Sequence, residues 1–285
     1  MSGVDVRPAR TGPTRRPEAA VPQRTLQGGA GAARRMALPA GTTLLLLAAW
    51  EGLAAAGTLP DEVPSTVAVV SWLLGEFGGS EFWLTVGDTL WHWFAGLVLG
   101  GLAGVVVGAV VGSLPVVGRL LNWPLEFLRP IPAIVYLPLM ILVMGSRAQT
   151  AILLGAVGAL WPMLFQAVYA VRAIDPVAVE TSRVFGLTRL QRVTRIVVPS
   201  ILPHLATGLR ISSSLALVVV ISAELIGGVP GIGAALSAAS TNGRYDATYG
   251  LLVISGLLGL ALNLILESSE RRLLGWHVSY RDVPR

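Results

Sequence analysis

Two residue types are absent from this 285-residue chain, and each absence excludes a class of site. Without cysteine the chain cannot form a disulfide, a thiolate metal site or a thiol nucleophile. All 21 basic residues are arginine, and without lysine the phosphate-binding loop GxxxxGK[ST] is excluded. If ATP drives this protein, another chain must therefore bind it. The sequence also shows no paired carboxylates and no Ser/His/Asp set at catalytic spacing, which disfavours an enzyme.

Charged residues are scarce, and apolar runs are long. Only 13% of the residues are charged, compared with about 25% in soluble domains, and the mean hydropathy is +0.69. This composition predicts an all-α integral membrane protein. Six runs approach or exceed the roughly 20 residues that a spanning helix needs. They cover about 37–57, 88–113, 122–145, 149–171, 200–226 and 247–267.

The arginines predict the domain organisation and the orientation. Residues 1–35 are rich in Arg, Pro, Gly and Ala, and they are predicted to form a disordered cytoplasmic tail. Residues 36–275 form the transmembrane domain, and 276–285 a short cytoplasmic tail. Apart from the tails, Arg119, Arg129 and five arginines from Arg172 to Arg195 fall on one side, and only Arg147 and Arg244 on the other. Positive charge inside places both termini in the cytoplasm. Arginines at membrane-flanking positions explain the net charge of +5, so we expect no nucleic-acid partner.

Glycines recur at four-residue spacing in the second predicted span. They are Gly96, Gly100, Gly104, Gly108 and Gly112. Small residues at this spacing let two helices approach closely. The partner helix is predicted to belong either to the same bundle or to a second copy of the chain.

The segment 175–199 is the one long polar stretch between apolar ones, and its residues predict two short helices with a tight bend. Asp175 and Pro176 are typical of a helix start. Gly186 is typical of a helix end. The signals for the second helix are a capping box at Thr188 and Gln191 and a predicted end at Pro199 and Pro203. We call residues 175–199 the elbow.

The elbow resembles the EAA loop of ABC-transporter permeases, by which importer membrane subunits dock on their ATPase. The family pattern is Glu-Ala-Ala, three residues, Gly, nine residues and Ile-x-Leu-Pro. The chain matches this pattern at Glu180, Gly186, Ile196 and Pro199. It departs from the pattern by Thr181 and Ser182 in place of the alanines and Val198 in place of leucine. Each departure keeps either the small size or the apolar character.

The resemblance implies a type I importer permease fold with a cytoplasmic coupling helix, in a bacterial inner membrane. Implied partners are a cytoplasmic ATPase dimer, a second permease copy that makes a homodimer, and an extracytoplasmic solute-binding protein. ATP and Mg²⁺ would bind to the ATPase, so no cofactor is expected on this chain. The residues implied to couple to the ATPase are Pro176, Glu180, Thr181, Ser182, Gly186, Ile196 and Pro199.

Two further motifs are similar to the nitrate, sulfonate and taurine branch of these permeases. One is Arg-Pro-Ile-Pro at 129–132, and the other is Ala223-Glu224 followed by Gly231-Ile232-Gly233. This resemblance implies a small organosulfonate or oxyanion as solute. The candidate residues of the translocation path or its outer gate are Pro130, Pro132, Arg210, Glu224, Gly231 and Gly233.

Alternatives remain open at this stage. Arg210 either presents its guanidinium to an anionic solute or pairs within the bundle and holds packing. The three histidines show no metal-ligand spacing, and His92 is predicted to lie at the membrane interface. The chief rival function is a secondary transporter or channel that works alone.

Overall fold

The structure is a computed structural model that describes the backbone of residues 30–274 and the side chains of residues 39–274. Residues 1–29 and 275–285, which hold most of the two predicted tails, lie outside the described residues. The described residues form helices and their connections, with no strand among them. The α-helices are α1 (Ala30–Ala55), α2 (Thr66–Glu76), α3 (Ser80–Ser113), α4 (Pro115–Leu128), α5 (Leu137–Met144), α6 (Ala148–Arg172), α7 (Pro176–Val184), α8 (Arg189–Arg192), α9 (Val198–Gly227), α10 (Ile232–Thr241) and α11 (Tyr245–Leu273).

The chain divides into two compact units between Ala49 and Trp50. The described part of the first unit is the N-terminal portion of α1. Because α1 begins at Ala30, the last six residues of the predicted tail are helical. The second unit contains the remainder of α1 and every later helix.

Four helical stretches are long and apolar enough to cross a membrane: α3, α6, residues 189–227 and α11. A fifth span results if α4 and residues 133–144 are counted together, although their axes differ by 80°. Within the described residues α1 is not among these stretches. The all-α membrane architecture is confirmed, and the count of six spans stays a prediction.

The predicted third span, 122–145, is not one straight helix. α4 ends at Leu128, and a 3₁₀ turn over Ala133–Tyr136 precedes α5. Pro132 has extended backbone, with ψ 132°. Proline lacks the N–H that a continuing helix needs. Pro130 and Pro132 therefore convert the predicted span into a bent pair.

The glycines of α3 form a seam with α6. Along this seam a Cβ added to Gly96, Gly100, Gly104, Gly108 or Gly112 would meet the carbonyl oxygen of Ile152, Ala156, Leu160, Leu164 or Val168, respectively. The constant register shows that the two helices run parallel. The closest approach is at Gly100, where the added Cβ would lie 2.1 Å from the Ala156 oxygen. Of the two predicted partners for these glycines, the structure shows a helix of the same bundle, α6.

Helix α9 runs antiparallel to α6 and completes a three-helix centre with α3. The Ser212 hydroxyl donates to the Ala159 carbonyl at 2.8 Å, and the Trp93 indole N–H donates to the Ser213 carbonyl at 3.0 Å. Both bonds are buried. They join α9 to α6 and to α3.

The prediction that the second elbow helix ends at Pro199 and Pro203 is wrong, and Pro203 lies inside α9. The chain stays helical from Arg189 to Gly227, with a π-helical turn over Val193–Val197 between α8 and α9. Within this turn the Val198 N–H bonds to the Val193 carbonyl. Pro199 then lies in the first turn of α9, where its missing N–H is tolerated. The wider turn lets the elbow continue directly into a spanning helix.

Candidate functional site

The local structure of the elbow follows its cap residues. The Asp175 carboxylate accepts a hydrogen bond from the Val177 N–H at 2.8 Å and begins α7. Gly186 has φ +70°, which a residue without a Cβ adopts at no steric cost. Thr188 and Gln191 form the reciprocal capping box, with bonds of 3.0 and 3.3 Å. The predicted helix, glycine bend and second helix are all present.

The elbow presents apolar side chains to its surroundings. Val184 is 87% exposed and Phe185 is 78% exposed at the end of α7, immediately before the bend. Glu180 is also exposed. Ser182, by contrast, is buried, and its hydroxyl donates to the Val179 carbonyl at 2.6 Å. Of the remaining predicted coupling residues, Pro176 and Thr181 are exposed, whereas Ile196 and Pro199 are half-buried.

A second site surrounds Glu224 near the other end of α9. Glu224 is fully buried, yet both of its carboxylate oxygens have partners. Oε2 accepts from the Thr89 hydroxyl at 2.8 Å and from the Gly233 N–H at 3.1 Å. Oε1 lies 3.0 Å from His92 Nδ1. We call Thr89, His92, Glu224, Gly231 and Gly233 the Glu224 cluster, because it joins α3, α9 and the start of α10 around one buried carboxylate.

At both glycines of the cluster, neighbouring atoms leave no room for a Cβ. Gly231 has φ +145°, and a Cβ added there would lie 2.3 Å from the Glu224 carboxyl carbon. A Cβ added to Gly233 would lie 2.3 Å from the Ile221 carbonyl oxygen. The Gly-x-Gly motif therefore brings the backbone of α10 against the carboxylate. The structure unites Glu224, Gly231 and Gly233 in one site.

The other predicted path residues lie elsewhere. Pro130 and Pro132 are exposed at the bend that follows α4. Arg210 is within ion-pair distance of Glu270 on α11, at 3.7 Å, with 36% of the arginine side chain and 5% of the glutamate side chain exposed. This pairing favours the structural role of Arg210 over contact with a solute.

Comparison with known proteins now decides the family. The sequence model described as "Binding-protein-dependent transport system inner membrane component" matches residues 96–274, which include the elbow and most of the Glu224 cluster. The chain belongs to this family. It is a transport permease.

Curated relatives of this permease carry more specific names. It is 28% identical over 250 residues to the taurine transport system permease protein TauC of Escherichia coli, covering 86% of this chain and 91% of TauC. It is 26% identical to the putative aliphatic sulfonates transport permease protein SsuC of Bacillus subtilis, covering 83% and 86%. It is 25% identical to the nitrate import permease protein NrtB of Leptolyngbya laminosa, covering 68% and 69%.

A solved structure supports the fold. A chain of the MetNI methionine ABC transporter, in an inward facing conformation, superposes with a TM-score of 0.56 at 22% identity. The match covers 71% of the permease and 95% of that chain. This superposition confirms the predicted type I importer permease fold.

Sequence reasoning missed the role of His92. Only 3% of His92 is exposed and its ring faces Glu224, whereas its position relative to the membrane interface stays a prediction. Thr89 was not singled out either. Their spacing carried a signal: Thr89 and His92 are three residues apart and continue the face of α3 that holds Gly96 and Gly100. Polar residues on the packed face of a spanning helix indicate a buried partner.

The Arg210–Glu270 pair leads to a prediction. We expect Arg210→Gln and Glu270→Gln to be coupled in a double-mutant cycle by about 1 kcal/mol of unfolding free energy, since the arginine is partly screened by solvent. Denaturant unfolding of the wild type, both single variants and the double variant measures this coupling. Additive effects, together with a solute-uptake defect in Arg210→Gln alone, would instead assign Arg210 to the path.

Proposed function

We propose that this permease is the membrane-spanning subunit of an ATP-driven importer for a small anion of the organosulfonate, taurine or nitrate type. The names of its curated relatives support this solute class. The solute-binding protein, a separate chain, would set most of the specificity. The ATPase activity and its ATP and Mg²⁺ would belong to a partner, in keeping with the absence of a phosphate-binding loop in this sequence.

The proposed topology has six spans and cytoplasmic termini. α1 would provide the first span, and the bent pair of α4 and residues 133–144 the third. The asymmetric distribution of arginines supports this orientation. It also puts the elbow on the cytoplasmic side, where an ATPase can reach it. A second permease copy would complete the path, as a homodimer.

The observation that best supports the proposed importer function is the exposed apolar end of α7. Val184 and Phe185 are among the most exposed large apolar side chains of the described residues, and solvent exposure of such neighbours is unfavourable unless a partner covers them. A short capped helix with an apolar tip suits insertion into a groove of an ATPase. Continuity from α8 through the π-helical turn into α9 would carry a push on the elbow to the far end of α9, where the Glu224 cluster lies. Of the predicted path residues, Glu224, Gly231 and Gly233 remain our candidates for the outer end.

The test is reconstitution with candidate ATPase and binding-protein partners. We expect the double variant Val184→Ala/Phe185→Ala to weaken ATPase association by roughly tenfold or more, because truncating buried apolar anchors typically costs more than about 1 kcal/mol each. Taurine-stimulated ATP hydrolysis and taurine uptake should fall in parallel. Co-purification, hydrolysis and uptake provide the three measurements.

Leu264→Ala provides the matched control. Leu264 is an exposed apolar residue of α11, outside the elbow, so its variant should bind the ATPase like the wild type. Equal binding by wild type and the elbow variant would contradict the proposed docking surface. Uptake by the permease in liposomes without any ATPase would favour the stand-alone transporter.

A further inference from the structure

The start of α10 has no cap from its own segment. Its N-cap residue, Gly231, has no side chain to accept a hydrogen bond. The first N–H groups of a helix nevertheless need acceptors, above all where they are buried. Here other helices provide them: the Ile232 N–H donates to the Thr89 hydroxyl of α3 at 2.8 Å, and the Gly233 N–H donates to Glu224 of α9 at 3.1 Å.

The Thr89 hydroxyl donates one hydrogen bond and accepts another. Its single proton is donated to Glu224 Oε2, at 2.8 Å, because the alternative acceptor, the Thr85 carbonyl, is farther away at 3.4 Å. Its lone pair is then directed to the Ile232 N–H. Thr89 and Glu224 are both completely buried, so water does not compete for these bonds. One hydroxyl and one carboxylate thus tie α10 to α3 and α9.

We propose that Thr89 and Glu224 are positioning residues that cap α10 from outside, so that α10 moves together with α3 and α9. A carboxylate near a helix N-terminus is favoured by the helix dipole. Pulling α10 away would strip the buried Glu224 of one donor and leave two N–H groups without acceptors, which is strongly unfavourable. This excludes α10 as a gate that swings alone.

The length of α10 supports this dependence. It has only 10 residues, and isolated helices shorter than about 12–15 residues are marginal. Apolar side chains also hold it: Ile232 and Ala239 belong to a cluster that also contains Phe82 and Ala247. Apolar packing sets no unique register, whereas two directed hydrogen bonds fix where the helix begins.

Hydrogen exchange of the full-length permease in lipid nanodiscs tests the proposal. It needs neither nucleotide nor binding protein, so its outcome is independent of the proposed transport function. In Thr89→Val, which keeps the shape but removes the donor and acceptor, amide exchange over 232–241 should accelerate by roughly ten- to a hundredfold. Glu224→Leu should have a similar effect, because its side chain cannot accept the hydrogen bonds from the Thr89 hydroxyl and the Gly233 N–H.

Two variants serve as matched controls. Thr89→Ser retains the hydroxyl and should restore wild-type protection of α10. Glu270→Gln alters another buried carboxylate, on α11, and should leave α10 unchanged. The proposal would be overturned if residues 232–241 exchanged their amide hydrogens at the same rate in Thr89→Val as in the wild type. An equal acceleration in α6 would also overturn it, because the loss would then be global and not specific to α10.

Discussion

Replacing Gly100 by alanine is expected to destabilise the permease by about 3 kcal/mol or more. The added Cβ would lie 2.1 Å from the Ala156 carbonyl oxygen and 2.8 Å from two further backbone atoms of the same residue. No side-chain rotation relieves a clash with backbone, so α3 and α6 would have to separate along their seam. Overpacking of a well-packed site typically costs about 1–3 kcal/mol, and here the displaced element is a whole helix.

The neighbouring glycine provides the control for this prediction. Gly101 is also buried in α3, but a Cβ there would meet only the Met163 methyl, at 3.8 Å, which is ordinary contact. Gly101→Ala should therefore be neutral or slightly stabilising, because alanine favours helix over glycine by up to about 1 kcal/mol. Thermal and denaturant unfolding of the two purified variants measures the difference. Similar stabilities would show that the seam can relax.

Gly231→Ala is expected to have the second large effect, a loss of about 3 kcal/mol or more. Its Cβ would occupy the space of the Glu224 carboxyl group, with all three carboxyl atoms within 2.5 Å. Displacing the carboxylate would leave the Thr89 hydroxyl and the Gly233 N–H without their acceptor, each at about 1–3 kcal/mol. The unfavourable φ of +145° adds backbone strain.

Gly228 provides a control that has a positive φ but no clash. It also has a positive φ, +64°, but no atom lies within 4 Å of an added Cβ. Gly228→Ala should therefore cost only the left-handed backbone penalty of about 1–2 kcal/mol. Unfolding free energies of both variants, with exchange of 232–241 as a local probe, provide the comparison. Equal costs would mean that the carboxylate moves aside freely.

The elbow could be predicted almost completely from sequence, since caps and bends depend on neighbouring residues. Asp175, Gly186 and the Thr188–Gln191 box act within a few residues of themselves, and each appears as predicted. The end at Pro199 was the exception. A proline interrupts an α-helical hydrogen bond, but a π-helical turn just before it restores helical continuity, and no local rule selects that turn.

The Glu224 cluster could be predicted only in part. Glu224 and the two glycines share a motif, so their association was visible in the sequence. Thr89 and His92 are 135 and 132 residues away from Glu224, and nothing in their own neighbourhood marks them as its partners. Pairing of Arg210 within the bundle was one of the predicted alternatives, but its partner, Glu270, could not be predicted for the same reason.

The sequence by itself determined the membrane class, the exclusion of a nucleotide-binding loop, the elbow and the resemblance to the permease family. These features depend on composition, on local caps and on spacing within short stretches. Only the tertiary structure decided that the glycines face α6, that the third span bends, and that one buried carboxylate caps α10. Such features arise where helices distant in sequence meet, because buried polar groups must find acceptors and donors wherever the packing brings them.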